Sequence, residues 1–287
     1  MESEQKPDPL LSAYGIADQL IGDRATKTSV PILVEIENQV RQHGTGTLFR
    51  IGDKSFLVTA AHVVTSADAG GHPLVFGRLE GGGVFVVEDV WTITRPDRPG
   101  EKDFRDIAIM QLGHGAVEFF ANHDFVRLAN VDPRMPNRGD LFCVYGFPNE
   151  TSTPGEFKGQ KGELRPIKLH TGLYEGSTAD FETYRSSHHI LLNARKSNIC
   201  GDSGGQFDFP ERLNGISGCG IWRTLSAASG YQAVDEPNLI AVQTVFYAKA
   251  RVMRGTSWHT VLSLFQMQWP ELLRAAAIWL PPRARGQ

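Results

Sequence analysis

Residues 201–205 read Gly201-Asp202-Ser203-Gly204-Gly205 and open a run, Gly204 to Phe209, that reads as a strand. A serine hydroxyl is a poor nucleophile; it needs exposure, a base to take its proton, and N–H donors facing the oxyanion that develops. Glycines supply the backbone freedom for this. The one before the serine can turn its amide toward substrate, and those after it carry no Cβ to obstruct the approach. The same string also serves as a plain Gly-Asp turn in a hairpin, so its meaning depends on whether a base accompanies it.

Two upstream stretches offer one. Phe56-Leu57-Val58-Thr59-Ala60-Ala61-His62-Val63-Val64 reads as a buried strand that ends in small residues and then a histidine. A histidine there can project into a cleft as a general base, although a single His beside an apolar strand is as often a packed, hydrogen-bonded residue. Arg105-Asp106-Ile107-Ala108-Ile109-Met110-Gln111-Leu112 sets an aspartate at the mouth of an apolar strand. A carboxylate at that point can accept the His Nδ1–H, fix the tautomer and stabilise the imidazolium. Asp103 competes for the role, and an Asp closing a turn is the plain alternative.

Farther out, brief β-rich runs punctuated by glycine predict an all-β chain. The first series is Pro31 to Ile36, Gly46 to Ile51, Ser55 to Ala60, Leu74 to Leu79, Val84 to Thr94 and Ile107 to Leu112. After Pro133-Arg134-Met135-Pro136 a second follows: Leu141 to Tyr145, Ile167 to Leu173, Ile190 to Ala194, Gly204 to Phe209, Asn214 to Trp222 and Leu239 to Phe246. Two β units of about six strands each are implied. Asp8-Pro9 followed by Leu10, Tyr14, Ala17 and Ile21 predicts a short N-terminal helix stopped by Gly22. Trp258, Val261, Leu262, Phe265 and Trp269 fall on one face of a C-terminal helix, with a further turn from Pro270 to Ile278. The expected organisation is an extension over 1–29, a first β unit over 30–132, a second over 133–250, and helices with a tail over 251–287.

The 287 residues are 41% hydrophobic and 21% charged, a balance that excludes a disordered chain. A formal charge of -3 gives no reason to expect nucleic acid or an anionic membrane as partner. No apolar stretch reaches the ~18 residues a bilayer crossing needs, and the charged, proline-bearing start lacks the core of a secretory signal. Cys143, Cys200 and Cys219 match neither a metal knuckle nor a disulfide scaffold, which points to a reducing cytoplasm. His188-His189 lack a Cys, Asp or Glu at ligand spacing, so they read as strand-entry residues, and no metal or other cofactor is expected. Trp258, Trp269 and Trp279 read as packing anchors.

His62, Asp106 and Ser203 follow the chain order His, Asp, Ser. With Thr59-Ala60-Ala61-His62, Asp106-Ile107-Ala108-Ile109, Gly201-Asp202-Ser203-Gly204-Gly205, and Leu141 to Pro148 as the opening strand of a second barrel, residues of about 30 to 250 resemble the chymotrypsin/trypsin-like serine peptidases. The resemblance implies two six-stranded antiparallel β-barrels with the triad between them. Ser203 is then the nucleophile, His62 the acid/base, Asp106 the orienting carboxylate, and the N–H groups of Gly201 and Ser203 the oxyanion hole. It further implies that Ser197 lines the floor of the S1 pocket, favouring an uncharged residue before the cut, and that Gly218-Cys219-Gly220 is the edge that binds substrate backbone. Disulfides and the cleaved Ile-Val-Gly-Gly start of secreted members are absent, so Asp202 lacks their N-terminal amine partner. An intracellular, bacterial serine endopeptidase acting on protein or peptide substrates is expected. The alternatives are an enzyme latent until a protein activator orders the Asp202 loop, and a non-catalytic peptide-binding protein that retains the fold.

Overall fold

The computed structural model describes residues 9–78, 83–87, 90–98, 100–156, 162–195, 199–200, 210–226 and 233–274. Helices α1 (Pro9–Ile21) and α2 (Arg24–Thr28) lead into β1 (Ser29–Ile36), β2 (Gln39–Ile51) and β3 (Lys54–Ala60). Then come α3 (Ala61–Ala69), β4 (Leu74–Gly77), β5 (Val84–Val86), β6 (Trp91–Ile93), β7 (Ile107–Gln111), α4 (His114–Phe119) and β8 (Val126–Arg127). The second half holds β9 (Leu141–Gly146), β10 (Gly155–Glu156), β11 (Ile167–Gly172), β12 (His189–Asn193), β13 (Ile199–Cys200), β14 (Gly220–Leu225), β15 (Ala233–Tyr247), β16 (Val252–Ser257), α5 (Trp258–Gln268) and α6 (Pro270–Arg274).

These strands form two curled sheets, as the all-β double-barrel expectation requires. The first runs β5-β4-β1-β2-β3-β7-β6, with β8 and β10 also paired to β2; the second runs β12-β16-β15-β14-β9-β11-β13. Pairing is antiparallel except between β2 and β8. The β1–β2 hairpin turns at Glu37 and Asn38, both at positive φ (51° and 65°), the conformation of the primed two-residue turns whose twist matches the flanking strands.

The described strands number nine in the first sheet and seven in the second, against six expected in each. The surplus in the first sheet includes β8 and β10, two-residue strands too short to carry a periodic signal. Val84 to Thr94, read as one run, yields β5 and β6, and Asn214 to Trp222 becomes a strand only from Gly220. The second sheet also extends past residue 250. There β16 was hidden from the sequence by Arg254, a charged residue in mid-strand that is only 1% exposed. The run Gly204 to Phe209 lies outside the described residues.

One apolar cluster joins the sheets to the C-terminal helices, with Phe49, Phe56 and Ile107 from the first sheet, Cys143 and Trp222 from the second, and Trp258 and Phe265 from α5. Phe49 lies 4.7 Å from Trp258 and Phe56 4.9 Å from Phe265, ring centre to ring centre. The side chain of Ser257 accepts from the N–H of Thr260 and caps α5. Trp258 and Trp269 are thus packing anchors as expected, while Trp279 lies outside the described residues. No described helix is long and apolar enough to cross a membrane.

Candidate active site

The register of two strands brings the base and the carboxylate together. Ala60 of β3 sits opposite Ile107 of β7, so the next pair is Ala61 and Asp106, and the Ala61 N–H donates to the Asp106 carbonyl at 3.0 Å. The chain then turns into α3 one residue earlier than a strand running through His62 would allow. His62 therefore stands in the first turn of a helix, where backbone N–H groups have no intrahelical acceptor. Its N–H donates to Asp106 Oδ1 at 2.9 Å, and its ring Nδ1 lies 2.8 Å from Oδ2. An ionised carboxylate only accepts, so Nδ1 carries the hydrogen and Nε2 keeps a lone pair. The same carboxylate supplies the anion that a helix N-terminus favours.

Among the described residues Nε2 has no hydrogen-bond partner. The imidazole side chain is 49% exposed and the carboxylate behind it 13%, which leaves the base open to substrate while its orienting partner is shielded. Asp106 takes this position at φ +50°, a left-handed conformation that a non-glycine residue holds at a cost of about 1–2 kcal/mol. Asp103 helps to hold it: its Oδ2 accepts the Asp106 N–H at 3.1 Å and also the Thr94 hydroxyl. Its Oδ1 accepts from the backbone and Nε of Arg105 at 3.2 and 3.3 Å. Asp103 is thus a support beneath Asp106 rather than a rival for His62.

Behind this pair the second sheet closes a cleft of about 640 Å³, lined by His62, Asp103, Asp106, Thr183, Val245 and Arg254. Arg254 donates to the hydroxyls of Thr244 and Thr183. Burial pulls its guanidinium below the usual range, with Tyr247, Asp106 and Asp103 acting in the opposite direction. Sequence reasoning missed Arg254 and named Asp103 only as a competitor of Asp106, because only the fold shows that one is buried beside the cleft and the other sits under Asp106.

Other expected residues fare differently. Ser197, Gly201, Asp202 and Ser203 lie outside the described residues. Gly218, Cys219 and Gly220, expected to bind substrate backbone, are buried. On one side they face β15, where the Gly218 N–H donates to the Gln243 carbonyl at 2.7 Å and the Gln243 N–H to the Cys219 carbonyl at 2.8 Å, and Gly220 opens β14. His189 opens β12 as expected, and both ring nitrogens are used: Nε2–H donates to the Phe104 carbonyl at 2.7 Å and Nδ1 accepts the Arg185 N–H at 2.8 Å. Burial pushes its pKa down to about 3.

Two curled antiparallel sheets with a half-exposed, carboxylate-oriented histidine at a cleft between them define the double-barrel serine-peptidase class. A model of the Trypsin family matches residues 20–235, and the chain belongs to that family. No curated protein matches the sequence. Among solved structures, a thermostable serine protease from an extremophilic microorganism is 14% identical with a TM-score of 0.50, covering 85% of this chain and 97% of its own. It supports the fold. A second solved chain belongs to a structure on the coupled folding and binding of the intrinsically disordered Sesbania mosaic virus VPg protein. It is 15% identical with a TM-score of 0.42, covering 84% of this chain and 89% of its own. Family membership supports a serine protease function in general terms.

Proposed function

We propose that this chain is a serine endopeptidase that cuts protein or peptide substrates through an acyl-enzyme. The observation that carries the reading is the His62–Asp106 pair, with Nδ1 held at 2.8 Å and Nε2 left open. In the first step His62 Nε2 takes the proton of a serine hydroxyl as its oxygen bonds to the substrate carbonyl. The same nitrogen then gives that proton to the departing amine as the C–N bond breaks. Water, deprotonated by His62, opens the ester, and the proton returns to the serine. Each step needs only the protein and water. A chain that kept the fold merely to hold peptides would have no use for a half-exposed imidazole backed by a shielded carboxylate.

Cleavage of a peptide library by the purified protein tests this. His62→Ala and Asp106→Asn are each expected to lower kcat by ~10⁴, the second because an amide can leave Nδ1 in the wrong tautomer. Hydrolysis by His62→Ala at the wild-type rate would sink the proposal.

A further inference from the structure

We infer that Arg254 is a specificity determinant of the His62 cleft, and that it takes an acidic side chain, Asp or Glu, of the peptide being cut. The inference rests on the peptidase reading above and names the substrates that the same site selects.

Arg254 lies in mid-strand on β16, paired with Leu191 of β12 and Val245 of β15, and is only 1% exposed. It nevertheless lines the cleft that holds His62, together with Thr183 and Val245. A guanidinium taken out of water is costly unless a counter-charge and hydrogen bonds replace its hydration. Arg223, also buried, finds both within the fold: its guanidinium contacts Asp132 and reaches Asp140 at 3.5 Å. Arg254 has no carboxylate at ion-pair distance among the described residues, and its partners are hydroxyls. Nε donates to Thr244 Oγ1 at 3.3 Å and Nη1 to Thr183 Oγ1, while the Tyr247 hydroxyl offers a further oxygen. Neutral hydroxyls orient the planar fork, but they supply no counter-charge.

The surroundings hold this arrangement at a cost. Thr183, a β-branched residue, stands at φ +61°, a left-handed conformation that such residues rarely adopt. Strain of this kind persists only where neighbouring structure enforces it. Here Phe181 stacks on Tyr247 of β15 at 4.5 Å between ring centres, and the Tyr247 hydroxyl donates to the Glu182 carbonyl at 3.0 Å. Residues 181–183 are thereby pinned to the second sheet with Thr183 Oγ1 on the Arg254 guanidinium.

The carboxylates of the cleft itself are committed elsewhere. Asp106 and Asp103 draw the Arg254 pKa upward against its burial. Asp106, however, gives both oxygens to His62, and Asp103 gives its two to Thr94, Arg105 and the Asp106 N–H. Asp68 of α3 is exposed. Of the other cations in the lining, Lys102 is paired with Glu182 at 2.8 Å and Arg95 is exposed. What remains is a desolvated positive charge, oriented by hydroxyls and bordering a cleft of about 640 Å³. A substrate carboxylate entering that cleft would form charge-assisted hydrogen bonds where water no longer screens them. A neutral side chain of the same shape would not.

Paired peptides that differ only in Glu against Gln, moved position by position across the cleaved bond, test the assignment on the purified protein. At one position Glu is expected to raise kcat/KM by ~10–100-fold over Gln, the range for hydrogen bonds to a charged group. Arg254→Gln is expected to abolish that preference. The preference compares two substrates on the same folded molecules, so partial loss of folded protein does not alter it. Should Arg254→Gln fail to fold, Thr183→Val, which removes the hydroxyl that orients Nη1, is expected to lower the preference by ~3-fold or more. A Glu preference absent at every position, or retained in full by the variant that folds, would overturn the inference and leave the peptidase reading intact. Cleavage confined to sites flanked by Arg or Lys would do the same. No cleavage of any peptide by the wild type would overturn both.

Discussion

At the residue scale, two histidines of one chain are driven to opposite fates by their surroundings. His62 keeps an open nitrogen because its carboxylate partner binds from behind. His189 is fully buried and stays neutral with both nitrogens engaged. Its folded pKa of about 3 lies below the ordinary 6.5. Between those values the unfolded chain binds a proton that the folded chain refuses. The contribution of neutral His189 is thus complete above about pH 6.5 and is lost as pH falls toward 3, by up to about 1.4 kcal/mol per pH unit. Urea midpoints measured from pH 7 to pH 4 are expected to fall more steeply for the wild type than for His189→Gln; equal slopes would show that burial does not hold this ring neutral.

At the element scale, the turn before β14 tolerates no side chain where it meets the first sheet. A Cβ on Gly218, at φ +96°, would lie 2.0 Å from the Thr45 carbonyl oxygen and 2.1 Å from the Thr59 hydroxyl. Gly52, in the β2–β3 turn, also has a positive φ, 58°, but nothing within 4 Å. Gly218→Ala is therefore expected to destabilise by about 3 kcal/mol or more, through strain and displacement together. Gly52→Ala is expected to cost only the left-handed penalty of about 1 kcal/mol. Urea unfolding of the two variants checks this, and similar losses would contradict the packing described between the turn and Thr45. In the sequence Gly218 is one glycine of three, with Gly215 and Gly220; only the contact shows why Gly218 in particular has no substitute.

On the scale of the whole molecule, the segment that crosses from one sheet to the other is tied down by charge. Asp132 donates its N–H to the Leu239 carbonyl at 3.0 Å, and its carboxylate meets Arg223 of β14. Arg223 also reaches Asp140 at 3.5 Å. Asp132, Asp140 and Arg223 are all buried. Arg134 also holds the Asp132 carboxylate at 2.7 Å, and the Ser226 hydroxyl and the Asn137 N–H hold that of Asp140 at 3.1 and 2.9 Å, so Arg223→Ala removes one partner from each and is expected to lower stability by about 1–3 kcal/mol, read from urea denaturation. A loss under 1 kcal/mol would mean that the carboxylates gain water or other partners when the guanidinium goes. This network was illegible beforehand, because Asp132, Asp140 and Arg223 have no common spacing and are joined only when β14 lies beside the crossover.

By itself the sequence determined the all-β class, most of the strands and both terminal helices, and it singled out His62 and Asp106 as candidates that the structure finds hydrogen-bonded to each other. These are local matters: period-two runs and glycine punctuation specify strands, and a His after small residues or an Asp before an apolar strand is visible in a short window. Tertiary structure decided that Ala60 pairs with Ile107, which makes His62 and Asp106 one unit, that Asp103 supports it, and that Arg254 lies buried behind it. An imidazole and a carboxylate 44 residues apart in the chain become one unit only when strand register sets them side by side, and no short window of sequence contains that information.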